Sequence, residues 1–219
     1  RVGEVVATAG PLAASTDTFE VVFHGRGGHG ARPQDTIDPV IGLAAFVMEV
    51  QTLVSRRLDP GLPGVVTVGV VQAGSASNVI AERARCAGTI RATTPEARAL
   101  LCDGLRAVAD GVAATHRLRA VVQLSEGTPP LVNTAQGAAW AQAAARTVLG
   151  ADALKALATA NMGGEDFAFG DRFSERIRAR TVGGEREGFV GVGEGVAVVN
   201  DGGCRGVDER ADAVGAGAG

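Results

Sequence analysis

Phe19-Glu20-Val21-Val22-Phe23-His24-Gly25-Arg26-Gly27-Gly28-His29-Gly30-Ala31-Arg32-Pro33 decides how the rest of the chain is read. Its first five residues are β-branched and aromatic around one acid, the composition of a strand. The strand then runs into glycine. Glycine has no Cβ, so Gly25–Pro33 can take turns and close backbone approaches that other residues resist. An imidazole at His29 projects from bare backbone there, with Arg26 and Arg32 on either side. Two readings stay open at this point. One is a surface turn that happens to hold a histidine; the other is a histidine presented to a ligand, beside arginines able to bind an anion bidentately.

Downstream, Asp38-Pro39 is a helix start, with Asp as N-cap and Pro at the first helical position. Val40, Leu43, Ala44, Val47, Val50 and Val54 recur at three- and four-residue steps, which predicts one apolar helical face. Arg56 and Arg57 suit the helix C-terminus, and Asp59-Pro60-Gly61 breaks the chain. Val65–Gln72 is a second strand, whose valine content predicts burial on both faces or under a helix. The loop Ala73–Asn78 follows. Arg83–Thr93 alternates cleanly, with Arg83, Arg85, Ala87, Thr89 and Arg91 on one face and Ala84, Cys86, Gly88, Ile90 and Ala92 on the other. Thr94-Pro95-Glu96 opens a second helix with a stripe of Ala97, Leu101, Leu105, Val108 and Val112. Leu118–Leu124 is a fourth strand.

The order β-α-β-β-α-β predicts an α+β fold of the ferredoxin-like kind, with both helices on one sheet face. The row Arg83, Arg85, Arg91 is placed on the open face. Residues 1–15 read as a connecting stretch, and Gly127-Thr128-Pro129-Pro130 as a linker or hinge. Thr134–Leu149 is an Ala-rich helix closed by Gly150. Its face of Ala138, Ala141, Ala145 and Val148 is expected to be exposed and to promote self-association. Ala151–Ala158 is expected to be a short helix. Glu165 and Asp166 lie in the glycine loop Asn161–Phe167, either as site carboxylates or as acids that complement a helix N-terminus. In Gly170–Gly219 glycine is about a quarter of the residues, against about 7% on average, which predicts an irregular or disordered tail.

Composition excludes several classes. A formal net charge of −3 gives no electrostatic footprint for nucleic acid, and 4% aromatic residues leave few stacking platforms. This also disfavours an RNA-binding sheet. No apolar run approaches the roughly 20 residues of a membrane span. Cys86, Cys102 and Cys204 are few, odd in number and widely spaced, which predicts a reducing, cytoplasmic setting without a Cys-x-x-Cys metal site. Arg1-Val2-Gly3-Glu4 is no signal peptide and has no initiator Met, which predicts a fragment.

Several motifs together resemble one family. Gly25-Arg26-Gly27-Gly28-His29-Gly30-Ala31-Arg32-Pro33, Asp38-Pro39, Ser55–Pro60, Gly74–Ile80, Gly88-Thr89-Ile90-Arg91, Pro129–Asn133 and Gly163-Gly164-Glu165-Asp166-Phe167 stand in the order found in M20 metallopeptidases. The nearest subgroup in type is the hippurate and auxin-conjugate amidohydrolases, which act on N-acyl amino acids. The resemblance covers residues 1–169. It implies a zinc-peptidase-like α/β catalytic domain that binds two divalent metals (Zn, Mn or Co), with a ferredoxin-like lid inserted that forms a homodimer. Residues 16–126 correspond to the lid, 1–15 and 127–169 to parts of the catalytic domain, and 170–219 to nothing in the family. It further implies metal-dependent cleavage of amides in N-acyl amino acids or small peptides. His29 matches the lid histidine that reaches the partner's active site. Asn78 and Arg91 match groups that hold the substrate.

The metal-holding half of such an enzyme is not matched. Only His24, His29 and His116 are present, and none lies in a ligand motif of the family. No residue is assigned as a metal ligand, and this chain alone is expected to hold no metal pair and to be inactive. A missing start and an unrelated glycine-rich end suggest an incomplete or frame-shifted reading. Two functions therefore compete: an amide hydrolase of which this chain supplies the lid, and a non-catalytic dimerisation module.

Overall fold

A computed structural model describes residues 5–157 and 159–169. The tail Gly170–Gly219, with the expectations of irregularity and of a frame shift there, lies outside the described residues. In chain order the strands and helices are β1 Val5–Val6, β2 Gly10–Ala13, β3 Asp17–His24, β4 Gly28–His29, α1 Pro39–Glu49, β5 Gly64–Ala73, β6 Val79–Ile80 and β7 Arg83–Ala92. Then come α2 Pro95–His116, β8 Arg119–Glu126, β9 Leu131–Asn133, α3 Ala135–Leu149 and β10 Leu154–Lys155. A π-helical turn at Leu53–Arg57 follows α1. No helix among the described residues is long and apolar enough to cross a membrane.

The main sheet has the order β5-β7-β3-β8, with every neighbouring pair antiparallel. Alternation in β3 sends Phe19, Val21 and Phe23 to one face, where they are buried with Ala84, Cys86, Ile90 and Ala92 of β7. Both helices cover that face. Leu43, Phe46 and Val50 from α1 and its C-terminal end, and Leu101, Leu105 and Val112 from α2, complete a single core. The rings of Phe23 and Phe46 meet at 5.8 Å with 60° between planes, a geometry worth about 0.5–1.5 kcal/mol beyond its area. Each helix begins as its sequence dictates. Asp38 accepts from Val40 N–H at 2.9 Å, and Thr94 accepts from Ala97 N–H at 3.2 Å, with Pro in the first turn of both. The other sheet face carries Arg83, Arg85 and Arg91, as the alternation predicts.

Four expectations are corrected. The buried face of α1 is Pro39, Gly42, Leu43 and Phe46, whereas Val40 and Ala44 are exposed. The helix is apolar nearly all round, so spacing alone could not set its phase. Of the two readings of the valine strand β5, burial on both faces is overturned and cover by a helix on one side holds: among the described residues β5 is an edge strand with Val66 buried in the helix-covered core, while Val70 and Val71 are 40% and 58% exposed. Residues 1–15 are more than a connection, because β1 pairs with β10 in parallel and β2 pairs with β9 antiparallel. The same pairing replaces the short helix expected over Ala151–Ala158 with a 3-10 turn at Ala151–Ala153 and then β10.

The α3 face is corrected as well. Ala138 and Ala145 are buried, and Gln142 donates to Ala7 O at 2.8 Å, so the start of the chain covers this face. Trp140, Val148 and Leu149 are the large apolar residues of α3 left outward, Val148 as expected. Leu12, Ala13, Leu131 and Ala168 form a second, smaller core beside the main one.

Candidate functional site

The glycine loop is tied down at both ends. Arg26 and Ile37 exchange two backbone hydrogen bonds of 2.9 Å, and Gly25 N–H donates to Glu82 O at 2.8 Å. A Cβ on Gly25 would run into Ile37 O, so the close approach requires glycine. At the tip, β4 pairs with β6, which sets His29 opposite Val79. Gly30 N–H then donates to Asn78 O at 2.8 Å. The sheet pairing thus brings His29 and Asn78 together, and both are exposed.

The His29 ring is oriented by its own turn. Ala31 N–H donates to His29 Nδ1 at 3.1 Å. With Nδ1 accepting, the neutral ring carries its proton on Nε2. An exposed imidazole with an Nε2–H donor can hydrogen-bond a carbonyl oxygen or an oxyanion. Of the two flanking arginines, Arg32 is engaged by Asp35 at 2.8 Å, an exposed pair of small energetic weight, and only Arg26 stays without a charged partner among the described residues.

Arg91 stands elsewhere. It lies eight residues along β7 from Arg83, which pairs with His24 beside the glycine loop. At about 3.3 Å per residue that is roughly 26 Å. Arg91 instead neighbours Ala92, which exchanges hydrogen bonds with Ser15. Glu165 is buried, and Asp166–Phe169 is a 3-10 turn at the end of the described residues. Among the described residues no three His, Cys, Asp or Glu side chains converge as a metal site, so these residues do not fit a metal pair by themselves.

One cluster was not visible in the sequence. Asp17, at the start of β3, pairs with Arg98 on the first turn of α2, 81 positions away. Donating its hydrogen bonds to the Asp17 carboxylate holds the Arg98 guanidinium above its ordinary pKa. The Cys86 thiol is buried and Cys102 is half-buried: desolvation pushes Cys86 up to about 11 and raises Cys102.

Residues 15–116 match the family model of the M20 peptidase dimerisation domain. The chain carries a dimerisation domain of the M20 peptidase type. Among curated M20 relatives, it is 40% identical over 127 residues to an N-acetyldiaminopimelate deacetylase of Streptococcus thermophilus, covering 58% of this chain and 34% of that one. It is 38% identical over 179 residues to an IAA-amino acid hydrolase of Arabidopsis thaliana, covering 80% of this chain and 39% of that one. A crystal structure described as a dinuclear metal-binding M20 peptidase from Bacillus subtilis superposes with a TM-score of 0.61 at 29% identity, over 80% of this chain and 42% of that one. The chain therefore spans well under half the length of the M20 relatives it matches.

Proposed function

We propose that this chain is the lid of a two-domain, metal-dependent amide hydrolase, joined to part of its catalytic domain. In this reading residues 16–126 are a ferredoxin-like lid that also forms a homodimer. Residues 1–15 and 127–169 belong to a zinc-peptidase-like α/β domain. The substrate is an N-acyl amino acid or a small peptide, cleaved at its amide bond in the cytoplasm; the free thiols of Cys86 and Cys102 suit such a reducing compartment. A divalent pair of Zn, Mn or Co serves the whole enzyme, with ligands from outside the described residues.

The observation that carries the reading is His29: an exposed imidazole on a loop pinned at both ends, with Nδ1 occupied and Asn78 alongside. In the reaction its Nε2–H donates to the oxygen that gains charge as the amide is attacked. The Asn78 carboxamide holds the substrate beside it, and Arg91 binds the substrate carboxylate through its guanidinium fork. The run of β7 that separates Arg91 from the end of the strand beside the glycine loop supports assembly from two chains, with the histidine of one protomer serving the cleft of its partner. The edge of β5, unpaired among the described residues, and the exposed outer face of α1 favour such a dimer.

Two measurements test this. The purified chain, supplied with Zn, Mn or Co, is assayed on a benzoylated amino acid; no turnover is expected, and two tightly bound metals with turnover would overturn the lid assignment. Residues 16–126 are then grafted in place of the matching segment of the Streptococcus deacetylase. Activity in the graft that falls about 100-fold or more with His29→Ala supports a catalytic lid. An active graft indifferent to that change leaves a non-catalytic dimerisation module.

A further inference from the structure

We propose that Arg83, His24 and Arg119 form a binding site for a phosphomonoester on the open face of the main sheet, at the end nearest the glycine loop. The site is independent of amide hydrolysis and of any metal pair.

Strand register builds it. His24 closes β3 and stands opposite Arg83 of β7 on one side and Arg119 of β8 on the other. Residues directly opposite on neighbouring strands share a face. In β3 that face alternates with Phe19, Val21 and Phe23, and in β8 with Ala120, Val122 and Leu124, all of which pack on the helix side. The three side chains therefore form one row on the uncovered side. Arg83 and Arg119 are exposed, and His24 is half-buried between them. Two strand spacings of about 4.8 Å put the flanking Cα atoms roughly 10 Å apart, so both long side chains can reach the space above the imidazole.

No acid answers this row. Among the described residues none of the three side chains makes an ion pair or a hydrogen bond. On the same face of β3, Glu20 is held by Arg85 at 2.7 Å, and Arg85 also donates to Gln72 at 2.7 Å. Glu82, next to Arg83 in sequence, lies against Gly27 and pairs with none of the three. The fold does not ask for cations here. Further along the same face the rows hold Thr18, Ser125 and Thr89, neutral groups that a solvated sheet tolerates. Like charges in register across a sheet oppose pairing, and the chain as a whole carries a formal net charge of −3. A positive row on an acidic chain is a local feature and not a consequence of net charge.

The donor set selects the ligand. A guanidinium fork binds an oxyanion through two parallel hydrogen bonds, and one fork satisfies a carboxylate. Two forks on either side of an imidazole match a group with three free oxygens and nearly two negative charges, which is a phosphomonoester. The next row on this face is Val22 opposite Val121, both half-buried. That apolar strip gives the organic part of the ester a surface to cover.

Phenyl phosphate titrated into the full chain at constant ionic strength, followed by backbone amide NMR, tests the site, with benzoate as the matched carboxylate. Saturable shifts centred on His24, Arg83 and Arg119 are expected with a Kd of about 1 mM or tighter. Benzoate should bind at least about tenfold more weakly. Arg83→Gln combined with Arg119→Gln should weaken phenyl phosphate at least about tenfold, whereas Arg106→Gln, which removes an exposed cation of α2, should leave its Kd unchanged. Absence of saturation, benzoate as tight as phenyl phosphate, equal weakening by Arg106→Gln, or a double variant that binds like the parent chain each overturns the proposal. Should the double variant lose its sheet resonances, Arg119→Gln alone is read against an expected loss of about threefold, and no loss overturns the proposal.

Discussion

Ile41 and Met48 on the outer side of α1 are 56% and 74% exposed, in a helix that is apolar nearly all round. Such a helix normally has a neighbour on both sides. Replacing both by glutamate should break the proposed homodimer. Full burial of either side chain is worth about 1.5–3 kcal/mol, so the exposed fractions leave about 1.5 kcal/mol per residue to gain on association. In a two-fold dimer each residue counts twice, which gives a ceiling of roughly 6 kcal/mol for the pair. Even a third of that, about 2 kcal/mol, weakens Kd roughly 30-fold. Sedimentation equilibrium over a concentration series measures the change, and circular dichroism melting checks that the double variant still folds. A dimer of unchanged Kd in the Ile41→Glu, Met48→Glu chain would refute the reasoning, as would a wild-type chain that stays monomeric throughout the series.

Three further outcomes concern the fold. Phe46→Ala empties a fully buried site against Phe23, and urea unfolding should show a loss of about 3–5 kcal/mol. Arg117 caps α2 at φ 58, a conformation that suits glycine, so Arg117→Gly should gain about 0.5–1 kcal/mol in the same assay. The Cys86 thiol is pushed up to about 11 by burial, from an ordinary 9.0, so the folded state holds a proton that the unfolded chain releases first. Stability from this group is complete below pH 9 and declines as pH rises from 9 towards 11. Denaturation followed across that window should show a shallower decline in Cys86→Ala, and equal slopes would contradict the assignment.

How far the sequence could be read depended on what each residue depends on. The caps at Asp38-Pro39 and Thr94-Pro95 use neighbours one to three residues away, so they were legible. The alternation of Arg83–Ala92 is a property of a single strand and was legible too. His29 stood out because glycine surrounds it. The phase of α1 was not legible, because Val40-Ile41-Gly42-Leu43-Ala44-Ala45-Phe46 offers no polar residue to mark the outside. The valines of β5 looked like core because sequence does not distinguish a strand flanked on both sides from one at an edge. β1 and β2 were missed because their partners lie beyond residue 130. Of the three site residues, His29 and Asn78 are joined by the β4–β6 pairing, while Arg91 is separated from them by the antiparallel run of β7. Asp17 and Arg98 gave no signal, since each alone is an ordinary charged residue near an element boundary.

The pairing of β5 with β7 slips by one residue between Val68 and Val70, leaving Gly69 as a bulge. A strand kinked in this way offers two short straight stretches to an incoming neighbour instead of one long one. Alignment beyond the kink is penalised, so a rope of many copies growing along this border is discouraged. Two copies meeting border to border, each presenting the same strand, use up what is on offer and close on themselves.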